Sequence, residues 1–147
     1  MNRRSEALVL TVLMLGACAE DGSGPGDPAA VVEDYIDAYN AGDIEAVMAL
    51  FSERSVVIGH PFEPGSTAGL DAIRALQVED RTGAASDNPY TISNVEVTGA
   101  TVSWDHVWTQ DSGTNFCQTG NDAVIEDGQF VTWTWPGGDF SCPEPSR

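Results

Sequence analysis

Tyr35-Ile36-Asp37-Ala38-Tyr39-Asn40-Ala41-Gly42-Asp43 is the stretch whose reading decides the fold. It closes a segment, Val32 to Tyr39, in which Val32, Tyr35, Ile36 and Tyr39 recur at spacings of three and four and so share one helical stripe. From Ile44 to Phe51 the pattern repeats, with Ile44, Val47, Met48 and Phe51. Between the two, Gly42 can adopt the left-handed backbone that ends a helix, and Asp43 can accept hydrogen bonds from the amides that open the next. Two short helices with apolar stripes packed inward are expected.

After the helices, Ser55 to Ile58 is a short β-branched run, and Leu70 to Leu76 predicts a third small helix with Leu70, Ile73 and Leu76 inward. Glu79 to Pro89 has no period and reads as a loop. Four strand candidates follow, Tyr90 to Thr98, Thr101 to Thr109, Phe116 to Glu126 and Gln129 to Trp135, with Gly99-Ala100 and Asp127-Gly128 as turns. Helices first and antiparallel strands afterwards give an α+β fold.

A two-residue turn at Asp127-Gly128 sets a register. Glu126 then faces Gln129, and counting outward pairs Val124 with Val131, Asp122 with Trp133 and Gly120 with Trp135. Asp122 is thereby expected on the face that carries Trp133 and Trp135, and Asn121, Ala123, Ile125, Phe130 and Thr132 on the other. In the preceding strand, alternation groups Val102, Trp104, His106 and Trp108. Four exposed indoles would be an aggregation hazard, so all four tryptophans are expected on one concave face, with His106 and Asp122 carried among them.

With these words in place, and with Ala49-Leu50-Phe51 and Gly69-Leu70-Asp71-Ala72-Ile73-Arg74 besides, the chain from about Ala29 to Pro136 resembles the SnoaL-like branch of the nuclear transport factor 2-like superfamily. That resemblance implies a curved antiparallel sheet wrapped around N-terminal helices into an open cone, the cystatin-like α+β roll, and a fold on which many functions are grafted. Ketosteroid isomerases belong to the same superfamily, and the chain is similar to them at particular positions. Tyr35 matches their oxyanion-donor tyrosine, and Asp122 their protonated, hydrogen-bond-donating aspartic acid. Their proton-moving Asp-Pro pair matches His60-Pro61 only after one inserted residue; ungapped, Gly59 falls there. Many members of the superfamily dimerise, which implies a possible homodimer through the mouth of the cone or the outer sheet.

The N-terminus sets Arg3 and Arg4 before an apolar run, Ala7 to Leu15, and then Leu15-Gly16-Ala17-Cys18, the order of a bacterial lipoprotein signal peptide. Residues 1–17 are expected to be removed and Cys18 lipidated, which makes the membrane a partner through the anchor and the location extracytoplasmic. Residues 18–28, rich in Gly, Pro and acid, read as a flexible tether, 29–136 as the domain and 137–147 as a tail. With Cys18 taken by lipid, Cys117 and Cys142 remain as a pair in an oxidising compartment, where a disulfide that pins the tail is their natural use.

Six basic side chains stand against 23 acidic ones, a formal net charge of −17, which excludes nucleic acid as a partner by repulsion. There is no lysine, so Schiff-base chemistry is excluded, and phosphate clamps would fall to Arg54, Arg74 or Arg81. Two histidines with unconnected carboxylates give no metal-ligand spacing, and no cofactor is called for.

Two functional readings stay open. A binding module for a small apolar or mixed-polarity ligand would use Trp104, Trp108, Trp133 and Trp135 as platforms, with Tyr35, His106 and Asp122 fixing orientation. A proton-transfer enzyme, isomerase or cyclase-like, would act on an enolisable ketone with His60 or His106 as base and Tyr35 with Asp122 stabilising the enolate. Each residue also has a bland reading: Tyr35 and His106 as satisfied core groups, His60 as a turn former, Asp122 as a strand cap and the indoles as core filling. The missing Asp-Pro carboxylate favours binding.

Overall fold

The computed structural model describes residues 26–61, 63–82, 89–109, 115–137, 140 and 142. The expected leader, Cys18 and the tether up to residue 25 lie outside the described residues. Helix α1 (Pro28–Ala41) starts under an Asp27 cap whose carboxylate accepts from the Ala29 N–H at 3.0 Å, with Pro28 in the first turn. It stops where Gly42 turns left-handed at φ 73°. There the Gly42 N–H reaches the Tyr39 carbonyl and the Asp43 N–H the Ala38 carbonyl, both at 3.0 Å. The Asp43 carboxylate then accepts from the Ala46 N–H at 3.0 Å and opens α2 (Ile44–Ala49).

Phe51 begins a strand instead of ending the helix: β1 runs Phe51–His60, followed by β2 (Glu63–Ala68) and α3 (Leu70–Thr82). The remaining strands are β3 (Thr91–Thr98), β4 (Thr101–Thr109), β5 (Asn115–Glu126) and β6 (Gln129–Thr134). They form one curved sheet in the order β2-β1-β6-β5-β4-β3. One pairing departs from the expected antiparallel sheet, since β1 lies parallel to β6. No hairpin joins these two strands, so nothing forces them to run in opposite directions. The helices fill the concave side. Val32, Tyr35 and Tyr39 of α1, Val47 of α2 and Ile73 of α3 are buried against Phe51, Val57, Val102, Trp104, Phe130 and Trp133 of the sheet.

Every strand pairing contains a register shift, and such bulges bend a strand and strengthen its twist. The shift between β5 and β6 corrects the expected register. Glu126 faces Gln129 and Ile125 faces Phe130, but Val124 faces Thr132, Ala123 faces Trp133 and Asp122 faces Thr134. Val131 is the extra residue. Beyond it the faces of β6 exchange, which brings Phe130, Trp133 and Trp135 to the same buried side and leaves Asp122 exposed on the other. A second bulge, in β5, aligns Trp104 with Asn121 but His106 with Gln118. Gly120, at φ 82°, donates its N–H to Asp105 Oδ1 at 2.8 Å there, and both Gln118 and Asn121 turn inward.

Two elements exceed the expectation. β2 carries Pro64 and Gly65, which weaken a strand signal, yet it is an edge strand with mostly exposed side chains, where both residues are tolerated. α3 continues past Leu76 to Thr82, so the first part of the stretch expected as a loop, from Glu79, is helix, and residues 83–88 lie outside the described residues. At the other end, Cys117 and Cys142 form a disulfide with Cα atoms 4.7 Å apart.

Gly59 holds the end of β1 to the end of β6. It sits at φ 76°, and a Cβ there would approach the Trp135 carbonyl oxygen to 2.7 Å, where the Trp135 N–H donates to the Ile58 carbonyl at 2.8 Å. Gly59→Ala is expected to destabilise the domain by about 2–4 kcal/mol, from the left-handed backbone together with the clash. Gly99→Ala, at φ 61° with nothing within 4 Å, should cost only the backbone part, about 1–2 kcal/mol. Urea melts of the two variants check the difference, and equal losses would mean that the clash relaxes freely.

Candidate functional site

The concave face gathers the indoles. Trp104 and Trp133 are fully buried and Trp135 nearly so, with ring centroids 5.7 Å apart for Trp104–Trp133 and 5.1 Å for the stacked pair Trp133–Trp135. Trp108, on the same side of β4, is only partly buried, against Phe116 at 5.7 Å and Phe140 at 5.6 Å. Trp133 is the hub. It meets Tyr35 edge-on at 4.7 Å and stacks on Phe130 at 5.3 Å, while its indole N–H donates to Asn121 Oδ1 at 3.3 Å.

Both histidines flank Trp135. His60, the last residue of β1, lies edge-on to that ring at 4.5 Å, and His106, on β4, at 5.8 Å. His106 is stacked on Tyr90 at 5.2 Å. Asn40, in the last turn of α1, clamps Tyr90 from both sides: its Nδ2 donates to the Tyr90 carbonyl and its Oδ1 accepts the Tyr90 N–H, each at 2.8 Å. The asparagine of the opening motif thus positions a ring over an imidazole fifty residues and more downstream in the chain.

The carboxylate inside is Asp80. Helix α3 presents Ile73, Leu76, Gln77 and Asp80 at helical spacing on its buried face. The Tyr35 hydroxyl donates to Gln77 Oε1 and the Tyr39 hydroxyl to Asp80 Oδ2, both at 2.7 Å. Asp80 Oδ1 stands 3.9 Å from His60 Nε2. Burial raises the Asp80 carboxyl above its ordinary value, opposed by the Tyr39 hydrogen bond. Burial lowers His60 to about 4. It lowers His106 to about 4 as well, opposed by hydrogen bonding with the Gln118 side chain and by the charge of Asp105. Both imidazoles are therefore neutral at pH 7, and the His60–Asp80 approach is a contact with a neutral ring rather than an ion pair. Tyr35, Tyr39 and Tyr90 are pushed up, in each case chiefly by burial.

Tyr35, His60, His106, Trp104, Trp133 and Trp135 of the expected set are thus brought together, with Trp108 at the edge. Asp122 is not, for the register reason given above; the inward polar residue beside Trp133 is Asn121. Gln77, Asp80, Tyr39, Tyr90 and Gln118 were not anticipated. The signal for Gln77 and Asp80 is the stripe Ile73-Leu76-Gln77-Asp80, visible once polar residues are allowed on an inward face.

Several buried nitrogens in this interior meet no protein partner among the described residues: Trp104 Nε1, Trp135 Nε1 and Gln77 Nε2. Two outer hollows contain none of the expected site residues. One of about 360 Å3 lies between β2 and α3, lined by Thr67, Ala72, Ala75 and Leu76. The other, of about 400 Å3, lies between α2 and α3 around Met48 and Leu70. Among the described residues no group of three or more His, Cys, Asp or Glu side chains is placed to hold a metal ion.

Comparison with known proteins places this geometry. The family model described as the SnoaL-like domain matches residues 32–140. No curated protein matches the chain. Among solved structures, a candidate polyketide cyclase from Sinorhizobium meliloti is 20% identical, covering 71% of this chain and 92% of its own, with a TM-score of 0.61. A candidate ketosteroid isomerase from Kribbella flavida is 18% identical, covering 82% of this chain and 84% of its own, with a TM-score of 0.60. TerC, co-crystallised with polyporic acid, is 12% identical, covering 76% and 89%, with a TM-score of 0.58. At such identities the structural likeness establishes the fold. With the family model spanning most of the chain, the protein belongs to the SnoaL-like domain family.

Proposed function

We propose that this chain is a lipid-anchored, extracytoplasmic protein that binds a small apolar or mixed-polarity ligand within the aromatic interior of its cone. The observation that carries this reading is the set of buried donors without protein partners among the described residues on the concave face: the indole N–H groups of Trp104 and Trp135 and the Gln77 amide, close to the His106 ring. Each unsatisfied buried group costs about 1–3 kcal/mol, a cost that a purely structural core avoids by using Phe or Leu in the same places. A flat ligand with acceptor oxygens would stack on the indoles and satisfy those donors. The likeness to a protein crystallised with polyporic acid agrees with a small-molecule occupant. The anchor is supported by Leu15-Gly16-Ala17-Cys18, and the oxidising compartment by the Cys117–Cys142 disulfide.

A second reading is favoured by one observation, the line Tyr39–Asp80–His60. A neutral imidazole beside a carboxylate that a tyrosine holds in place is a competent general base, with Asp80 stabilising the imidazolium once the proton is taken. An enolisable ketone held against Trp135 would be its substrate. Likeness to the candidate cyclase and isomerase supports this class without choosing a substrate.

His106→Leu tests the binding reading, because a core histidine and a ligand-facing one respond oppositely. Tryptophan quenching by a library of flat, carbonyl-bearing compounds should show binding to the wild type and at least about tenfold weaker binding to the variant. Stability at pH 7 should be unchanged or higher; a marked loss would make His106 a structural residue. Acid sensitivity should also fall. The folded His106 titrates at about 4 against about 6.5 unfolded, so its neutral form stabilises the native state above pH 6.5. That contribution, on the order of 3 kcal/mol, is lost as the pH falls through 4. The variant should lack that part of the wild type's decline in urea-melt stability.

Asp80→Asn separates the two readings. A binder should retain ligand affinity within a fewfold, whereas an enzyme should lose about 100-fold or more of its deuterium wash-in at the carbon beside the bound ketone's carbonyl. Absence of wash-in by the wild type rejects proton transfer. For the anchor, Cys18→Ser expressed in a bacterial host should accumulate as an unprocessed precursor and lose its acyl label, and unchanged membrane partitioning would refute it.

A further inference from the structure

The chain that leaves β6 reaches the candidate site at one place. β6 stops at Thr134, while β5 reaches back to Asn115, so the first residues of β5 have no strand beside them on that side. The segment after Trp135 takes the position. The Pro136 carbonyl accepts from Gln118 Nε2 at 3.3 Å, the Phe140 carbonyl accepts from the Cys117 N–H at 2.8 Å, and Cys142 is bonded to Cys117. This lays the Phe140 ring on Trp108, edge to face at 5.6 Å. Trp108 in turn meets Tyr90 edge-on at 5.6 Å, and Tyr90 is stacked on His106 at 5.2 Å. One covalent bond at the start of β5 is therefore connected by three ring contacts to the His106 imidazole inside.

We infer that the Cys117–Cys142 bridge is a positioning element of the ligand site: it clamps Phe140 on Trp108 and thereby closes the aromatic rim that a ligand must pass to reach Trp135 and His106. One backbone hydrogen bond and one ring pair are each worth little, about 1 kcal/mol, against the cost of ordering several residues of backbone. The covalent closure is what keeps the strap down. Trp108 is the only one of the four indoles that is not buried, as a rim residue should be, and among the described residues its ring meets Phe140, Phe116 and Tyr90. The bridge acts through Phe140 and touches no ligand itself, so its signature is kinetic: entry and exit slow together, while affinity changes less.

The inference rests on the ligand-binding reading above, and its test keeps the two apart. The probe is N-phenyl-1-naphthylamine, a neutral fluorescent arylamine, followed by stopped-flow mixing with the full domain. A Cys117→Ser/Cys142→Ser variant and a Phe140→Ala variant with the bridge intact should each take up and release the probe about tenfold faster or more than wild type. Their dissociation constants should change by less than their rates. Phe140→Tyr, which keeps the ring, should restore rates near wild type, a rescue that a merely stabilising bridge would not predict. If the serine variant fails to fold by circular dichroism, Phe140→Ala and Phe140→Tyr decide alone. Rates within twofold of wild type in every folded variant overturn the strap and leave the binding reading standing. Failure of the probe and of the carbonyl library to bind any form overturns both.

Discussion

One extra residue in β6 governs the interior of this protein. Because side chains alternate along a strand, Phe130 and Trp133 would ordinarily face opposite sides of the sheet. The bulge at Val131 brings both to the concave side, with Trp135 following two residues on. Trp133 then occupies the centre of a ring cluster that reaches α1 through Tyr35, β4 through Trp104 and the mouth through Trp135. Its N–H is satisfied by Asn121, which the second bulge, at Gly120, turns inward. Without either shift the largest side chains of the sheet would divide between core and solvent, and the helices would lose the surface they cover.

Around this apolar centre the polar groups sort by depth. Tyr35, against Phe51, Phe130 and Trp133, is spent on Gln77. Tyr39, one helical turn on, is spent on Asp80 near His60. Beyond these pairs lie the groups that the fold leaves unmatched, and they are predominantly donors. Burial raises the Asp80 carboxyl and holds both imidazoles neutral at pH 7, so the low-dielectric interior carries no imidazolium there. Those same features make the interior expensive, and burial of the surrounding rings offsets the expense.

Local chemistry was legible in the sequence where one residue acts alone. Gly42, Asp43 and the Asp127-Gly128 turn each do in the structure what their backbone preferences dictate, and the alternation of Val102, Trp104 and His106 survives intact because β4 carries no inserted residue of its own between them. Legibility failed where two strands had to be compared. A bulge changes one residue's pairing and every face after it, and Val131 has no composition that announces it; with that shift Asn121, and not Asp122, shares the face of Trp133. α3 was cut short because its inward stripe turns polar at Gln77 and Asp80, which an apolar pattern cannot extend, and β2 was missed because an exposed edge strand buries too little to leave a period. The functional residues that escaped notice are thus the polar members of buried faces, the places where a site departs from the rules of a core.

Charge is separated from the site with the same consistency. The chain carries a net −17, yet among the described residues of the aromatic interior both imidazoles are neutral at pH 7, the Asp80 carboxylate is engaged by Tyr39, and the Arg81 guanidinium lies over the Tyr39 ring at 5.5 Å. Surface carboxylates act over a Debye length of roughly 8 Å in physiological salt. Their field discourages anions at the mouth without contributing to recognition inside. Selection on the proposed reading therefore falls to ring shape and hydrogen bonding, and a neutral, acceptor-bearing molecule passes both filters. An anionic ligand of the same shape would have to overcome the shell and then be desolvated beside the Asp80 carboxyl, which disfavours it twice.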